Sequence, residues 1–177
     1  RKQSPEFHAM IEASFLNPPW VIPADIVEAE ILPLLRRDPD YLTKNDMVLR
    51  DNGEIEQKPG PSAGLGLIMF DMPNRFDVYL HDTPDRHLFG RDNRRISHGC
   101  IRVQNPIELA ALLMDQPIDA IHRGIEAGGT TRHRLPAPVP VFVTYQTAFA
   151  DKDGAVQFRA DFYNRDAKIL QQLQSRA

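Results

Sequence analysis

Cysteine is almost missing from this chain: its 177 residues include only Cys100. One thiol cannot close an internal disulfide, so any reactivity at Cys100 must come from its surroundings. A basic excess is missing as well. The formal net charge of -3 does not fit a dedicated nucleic-acid binder, which would carry a surplus of lysine and arginine on one face. No stretch approaches the roughly 18 consecutive apolar residues of a membrane span. Arg1-Lys2-Gln3-Ser4-Pro5 is followed by no apolar signal segment, so the expectation is a cytosolic protein or a piece of a longer, exported chain. With 42% hydrophobic and 25% charged residues, one globular domain with its own core is the default.

Proline, in contrast, is abundant, and its 15 copies act as punctuation. Phe7 to Leu16 reads as a strand that stops at Asn17-Pro18-Pro19-Trp20, because proline cannot donate to a ladder. Ala24 to Arg37 reads as a helix with Ile26, Val27, Ile31, Leu34 and Leu35 on one stripe. Thr43 to Ser62 is polar and carries Asp51-Asn52-Gly53 and Pro59-Gly60-Pro61, which predicts a loop or small excursion outside the core. Leu65 to Phe70 and Phe76 to Leu80 are predicted buried strands around a turn at Met72-Pro73-Asn74-Arg75. His81 to Arg102 lacks periodicity and suits a loop carried on a sheet. Asn105-Pro106-Ile107-Glu108 announces a helix, with an asparagine cap, a proline at the first position and a glutamate that completes a capping-box variant. Ile118 to Ala127 predicts a second helix ended by Gly128-Gly129. Val139 to Thr144 predicts a strand, Lys152-Asp153-Gly154 a hairpin turn into Val156 to Phe162, and the tail from Asp166 a helix.

The chemistry is concentrated in Ser97-His98-Gly99-Cys100-Ile101-Arg102, where six residues before a helix hold a hydroxyl, an imidazole, a thiol and a guanidinium. A free thiol with its usual pKa of about 8.5 needs a base or a positive charge nearby to act near neutrality. His98, His81 and Arg102 are the candidates. His98 shares a face with Cys100 if the segment is extended, whereas Gly99 also permits a sharp turn. His81 ends the apolar run Val78-Tyr79-Leu80, so a rigid element would carry it. Gly99 lets backbone N–H groups approach a developing oxyanion.

The bland readings differ in weight. A lone cysteine is most often a small buried hydrophobe, and the neighbouring histidines shift the balance towards chemistry. His81, His87, His98 and Cys100 as a zinc site ranks a distant second, because the paired spacings that mark such sites are lacking. His8, His122 and His133 read as surface or capping residues. From His81 to Arg102 there are five arginines against three aspartates, a local excess of +2 on an acidic chain, which suits an anionic ligand. Arg91, Arg94 and Arg95 are at least as well explained by pairing with those aspartates or with carbonyls. For Arg102, beside the nucleophile, a functional role is favoured.

Ser97-His98-Gly99-Cys100 with the upstream His81 resembles the signature of the YkuD-type L,D-transpeptidase catalytic domain. Val78-Tyr79-Leu80-His81-Asp82-Thr83-Pro84, Leu88-Phe89, Ser97 to Val103, Pro106 and Leu109-Ala110 are similar to the YcbB-like branch of Gram-negative bacteria. Asn17-Pro18-Pro19-Trp20 and Ile31-Leu32-Pro33 extend the resemblance over most of the chain. The resemblance implies a mostly β (α+β) fold, a β-sandwich catalytic domain over residues 1–177 with a few flanking helices and a capping subdomain inserted at 24–62. It also implies an acyl-enzyme without metal or cofactor. Cys100 would attack a tetrapeptide stem of peptidoglycan and release D-alanine, and a diaminopimelate amine would resolve the thioester into a 3-3 cross-link. His81 would be the base, oriented by a backbone carbonyl such as that of Asp82. His98 would shape the site, Gly99 and Cys100 would offer oxyanion N–H groups, and Arg102, Ser97, Tyr79 and Asp82 would contact substrate. Carbapenems are the inhibitors the resemblance implies. The compartment it implies is the periplasm, with the chain part of a longer, inner-membrane-anchored envelope protein. Ala63, Gly64 and Met69 depart from the branch's usual residues, and the excursion between Tyr41 and Pro59 is short. An L,D-carboxypeptidase or thiol hydrolase, and a non-catalytic peptidoglycan-binding module, are the alternatives.

Overall fold

The computed structural model describes residues 3–94, 97 and 99–175. Strand β1 (Phe7–Leu16) runs as the alternation of its residues requires and ends before Asn17, whose φ of 51° turns the chain. A two-residue β2 (Trp20–Val21) follows, and then one continuous helical run. That run is α1 (Ala24–Ile26), a wide π turn (Val27–Ile31) and α2 (Leu32–Arg37). Pro33 gives a physical reason for the wide turn, since it lacks an N–H and its ring would crowd the carbonyl four residues back. The Leu32 N–H reaches past that register to Val27 O.

The polar stretch after it, read as a loop or small excursion outside the core, holds regular structure. Behind the short α3 (Tyr41–Lys44), β3 (Met47–Leu49) and β4 (Ile55–Gln57) form a hairpin that pairs with β2 in the order β2-β4-β3. Met47 and Ile55 are buried with Ile22, Ile26 and Ile31 in a small core of their own. Asp51-Asn52-Gly53, where Gly53 has φ 85°, is the turn that lets the strands pair.

The main sheet has five strands in the order β7-β6-β5-β1-β8. It contains β5 (Ile68–Asp71), β6 (Leu80–His81) and, beyond a 3-10 turn at Arg86–Gly90, β7 (Ile101–Arg102). The segment before β6 is a loop where a longer strand was expected. Asn74 accounts for this: its side-chain amide donates to Met72 O and Val78 O, and its oxygen accepts from the Phe76 and Val78 N–H groups. Those bonds satisfy backbone groups a sheet partner would otherwise take.

Helices α4 (Pro106–Met114) and α5 (Ile118–Glu126) pack against the sheet. Asn105 occupies the cap position without a side-chain cap bond, while Gly128 and Gly129, at φ 69° and 71°, end α5 as expected. Strand β8 (Thr131–Val143) is longer than predicted and carries Pro136, Pro138 and Pro140. It tolerates them because it is the edge strand and shifts register between Ile11 and Ala13 of β1. Leu16, Ile68, Phe70, Met72, Ala110 and Ile121 form the dry centre of the core. The chain ends in the hairpin β9 (Ala148–Ala150) and β10 (Val156–Phe158), then α6 (Asp166–Gln174). Mixed sheets with few helices are the mostly β, α+β class that the sequence led us to expect.

Candidate active site

The site lies where β6 and β7 run parallel, with Leu80 opposite Ile101 and His81 opposite Arg102. Ile101 N–H donates to Tyr79 O and Val103 N–H to His81 O, so the two segments are locked in register on both sides of the pair. Strand alternation puts Tyr79, His81 and Arg102 on one face. Cys100 lies two residues before Arg102, at the entry to β7.

His81 is 5% exposed, and its ring is held from beneath. Its Nδ1 lies 2.5 Å from Asp82 O. A carbonyl only accepts, so Nδ1 carries the proton and Nε2 is left as the basic nitrogen. The ring's pKa falls to about 4: burial lowers it most, the Asp82 carbonyl bond raises it, and the Arg102 charge lowers it further. At neutral pH this imidazole is uncharged and able to take a proton.

Asp82 is fixed in turn. Its buried carboxylate accepts from Leu67 N–H at 2.9 Å and from the Arg86 guanidinium at 2.7 Å, and Arg86 also donates to Gln104 O. A Cβ at Gly66 would stand 2.5 Å from the Asp82 carboxylate, and Gly66 has φ 63°, so glycine is required there for space and for conformation. The carboxylate of Asp82 thus serves the framework, and its carbonyl serves the histidine.

Cys100 is partly exposed, and its thiol donates to Asp77 O at 3.8 Å rather than to the His81 ring. Burial pushes the thiol's pKa up, opposed by the Tyr79 backbone amide and the Arg102 charge and reinforced by Asp77. The resting pair is therefore a neutral thiol and a neutral imidazole. Ser97 ties the turn before the nucleophile: its hydroxyl donates to Cys100 O at 2.7 Å and accepts the Gly99 N–H at 3.2 Å. Gly99 sits at φ 129°, where a side chain would be strained. Arg102 Nε is buried and has no hydrogen-bond partner among the described residues. Burial raises the Tyr79 phenol, helped by Asp77 and Cys100.

His98 and Arg95 lie outside the described residues. Arg94 donates to Arg91 O, and both side chains are exposed. Among the described residues no three histidine, cysteine, aspartate or glutamate side chains converge as a metal site would need, and no helix is long and apolar enough to cross a membrane. The sequence reading missed Asp77, Gly66 and Ser4. Asp77 offered no local signal, although its φ of 52° sets it apart in the structure. Gly66 lay in the run Leu65 to Phe70, which was read as strand. Ser4 offered no local signal either.

Residues 1–141 match the family model for YkuD, the L,D-transpeptidase catalytic domain. A protein of Haemophilus influenzae carrying the name "Putative L,D-transpeptidase" is 30% identical over 191 residues, an alignment that covers 95% of this chain and 39% of that relative. The chain thus spans well under half the length of the relative it matches.

Proposed function

Because the chain belongs to the YkuD L,D-transpeptidase catalytic domain family, we propose that it forms 3-3 cross-links in peptidoglycan, in the periplasm, through a thioester on Cys100. The observation that carries this reading is the pairing of β6 with β7. That register sets His81 opposite Arg102, two residues beyond Cys100, and the bond from His81 Nδ1 to Asp82 O leaves Nε2 to act as the base. In the proposed reaction the thiol leaves the Asp77 carbonyl and gives its proton to His81 Nε2 as Sγ bonds to the carbonyl carbon of the donor stem's diaminopimelate. Apo hydrogen bonds in such sites tighten only with substrate in place. The oxyanion is met by backbone N–H, and collapse expels the D-alanine amine, which takes the proton back from His81. The diaminopimelate amine of a second stem then attacks the thioester. His81 accepts the amine's proton and returns it to the departing sulfur, which leaves an amide cross-link and a free thiol. The guanidinium of Arg102, whose Nε has no partner among the described residues, suits a carboxylate of the stem peptide. Tyr79 borders the same face, while Ser97 acts through the turn.

The test uses the protein and disaccharide tetrapeptides. Release of D-alanine with appearance of tetrapeptide–tripeptide dimers is expected. Tripeptide monomers alone would move the reading to a carboxypeptidase, and neither product with no acylation of Cys100 by a carbapenem would leave only a binding module.

A further inference from the structure

A set of contacts joins residues 3–6 and the C-terminal segment to the nucleophile turn. Residues 142–177 lie outside the span that matches the family model. In that segment the rings of Tyr145 and Tyr163 stack at 4.6 Å, and the Arg165 guanidinium covers both, 4.9 and 5.1 Å from the ring centres. Arg165 also pairs with Glu6 and donates to Gln3, and the Tyr145 N–H donates to Glu6. Residues 3–6 are thereby clamped from the C-terminal side. Within them the Ser4 N–H donates to the Tyr163 hydroxyl at 3.3 Å, and the Ser4 hydroxyl donates to Gly99 O at 2.9 Å.

Gly99 O belongs to the same peptide unit as the Cys100 N–H. A trans peptide is planar, with its C=O and N–H on opposite sides, so holding the oxygen aims the hydrogen. Glycine at φ 129° gives that unit wide freedom, and two serine hydroxyls remove it: Ser97 takes the Gly99 N–H on one side and Ser4 the Gly99 O on the other. With the Gly99 N–H engaged by Ser97, the Cys100 N–H is, among the described residues of this turn, the donor left to meet an oxyanion. We propose that Ser4, held by Tyr163, is a positioning residue that fixes the Gly99–Cys100 peptide so that the Cys100 N–H points at the developing oxyanion. The inference rests on the acyl-transfer reading above.

Two reagents for Cys100 separate the positioning role from mere structural support. Acylation by meropenem passes through an oxyanion, whereas alkylation by iodoacetamide does not and reads only thiol access and ionisation. Ser4→Ala is expected to slow acylation about tenfold, less than the hundredfold or more that deleting an oxyanion donor costs. Its alkylation rate should stay within about twofold of wild type. Ser4→Thr, which keeps the hydroxyl, restores acylation, and Tyr163→Phe slows acylation by a smaller factor with alkylation unchanged. Equal slowing of both reactions by Ser4→Ala, or acylation at the wild-type rate, overturns the proposal alone. A wild-type protein that is alkylated but never acylated overturns the acyl-transfer reading and this inference with it.

Discussion

At the scale of single residues, the site rests on proton placement. A thiol with a raised pKa beside an imidazole with a pKa of about 4 cannot form a thiolate–imidazolium pair at rest, so the proton must move as the sulfur attacks. Cys100→Ala should abolish acylation, as no second thiol exists, and His81→Ala should slow it roughly 10²- to 10⁴-fold; both are read by intact mass against time. The base must be neutral, so activity should stay flat as pH falls through the ordinary histidine range and drop only towards pH 4. An acid limb near 6.5 in a pH series of acylation rates would contradict the burial argument. Cys100 and His81 were legible in the sequence because a short motif and a strand end advertised them. Asp77 and Ser4 were not, because they meet Cys100 and Gly99 across 23 and 95 residues, and only the folded register brings them there.

Elements show what local pattern can and cannot announce. β1, α4 and α5 were readable because local signals bound them: the prolines after β1, the Asn105-Pro106 start of α4 and the glycine pair that ends α5. β8 was half hidden: its prolines read as breaks, and only its place at the sheet edge makes them harmless. The segment before β6 misled in the opposite sense, since its apolar residues suited a strand until Asn74 claimed their backbone. The tightest local demand is where Gly66 meets Asp82. Gly66→Ala would force a left-handed conformation on alanine and push its Cβ into the carboxylate that holds Arg86 and Leu67, a loss of about 2–4 kcal/mol. Chemical denaturation should show that loss. Because Asp82 also orients His81, acylation should slow in the fraction that remains folded. An unchanged midpoint would mean that the carboxylate can step aside at no cost.

Across the whole molecule the same histidine makes stability depend on pH. In the folded state its pKa is about 4, and in the unfolded chain it returns to about 6.5. Between those values the unfolded chain binds a proton that the folded one refuses, so stability rises with pH across that window. The contribution is complete above pH 6.5 and is lost as pH falls to about 4. A difference of some 2.5 units corresponds to about 3 kcal/mol, a large part of the 5–15 kcal/mol that holds a typical domain together. At the alkaline end the sign reverses: Cys100, raised by burial, keeps its proton after the unfolded chain has released its own, so stability declines above the ordinary thiol range. Replacing His81 with glutamine removes the acid-side linkage and leaves the other titrating groups in place. Urea unfolding of wild type and His81→Gln at pH 4, 5, 6 and 7 should therefore give two curves whose separation changes by about 3 kcal/mol across the window. A constant separation would mean that the His81 ring stays open to protons in the folded protein. The neutral imidazole on which the proposed chemistry depends would then have no physical basis.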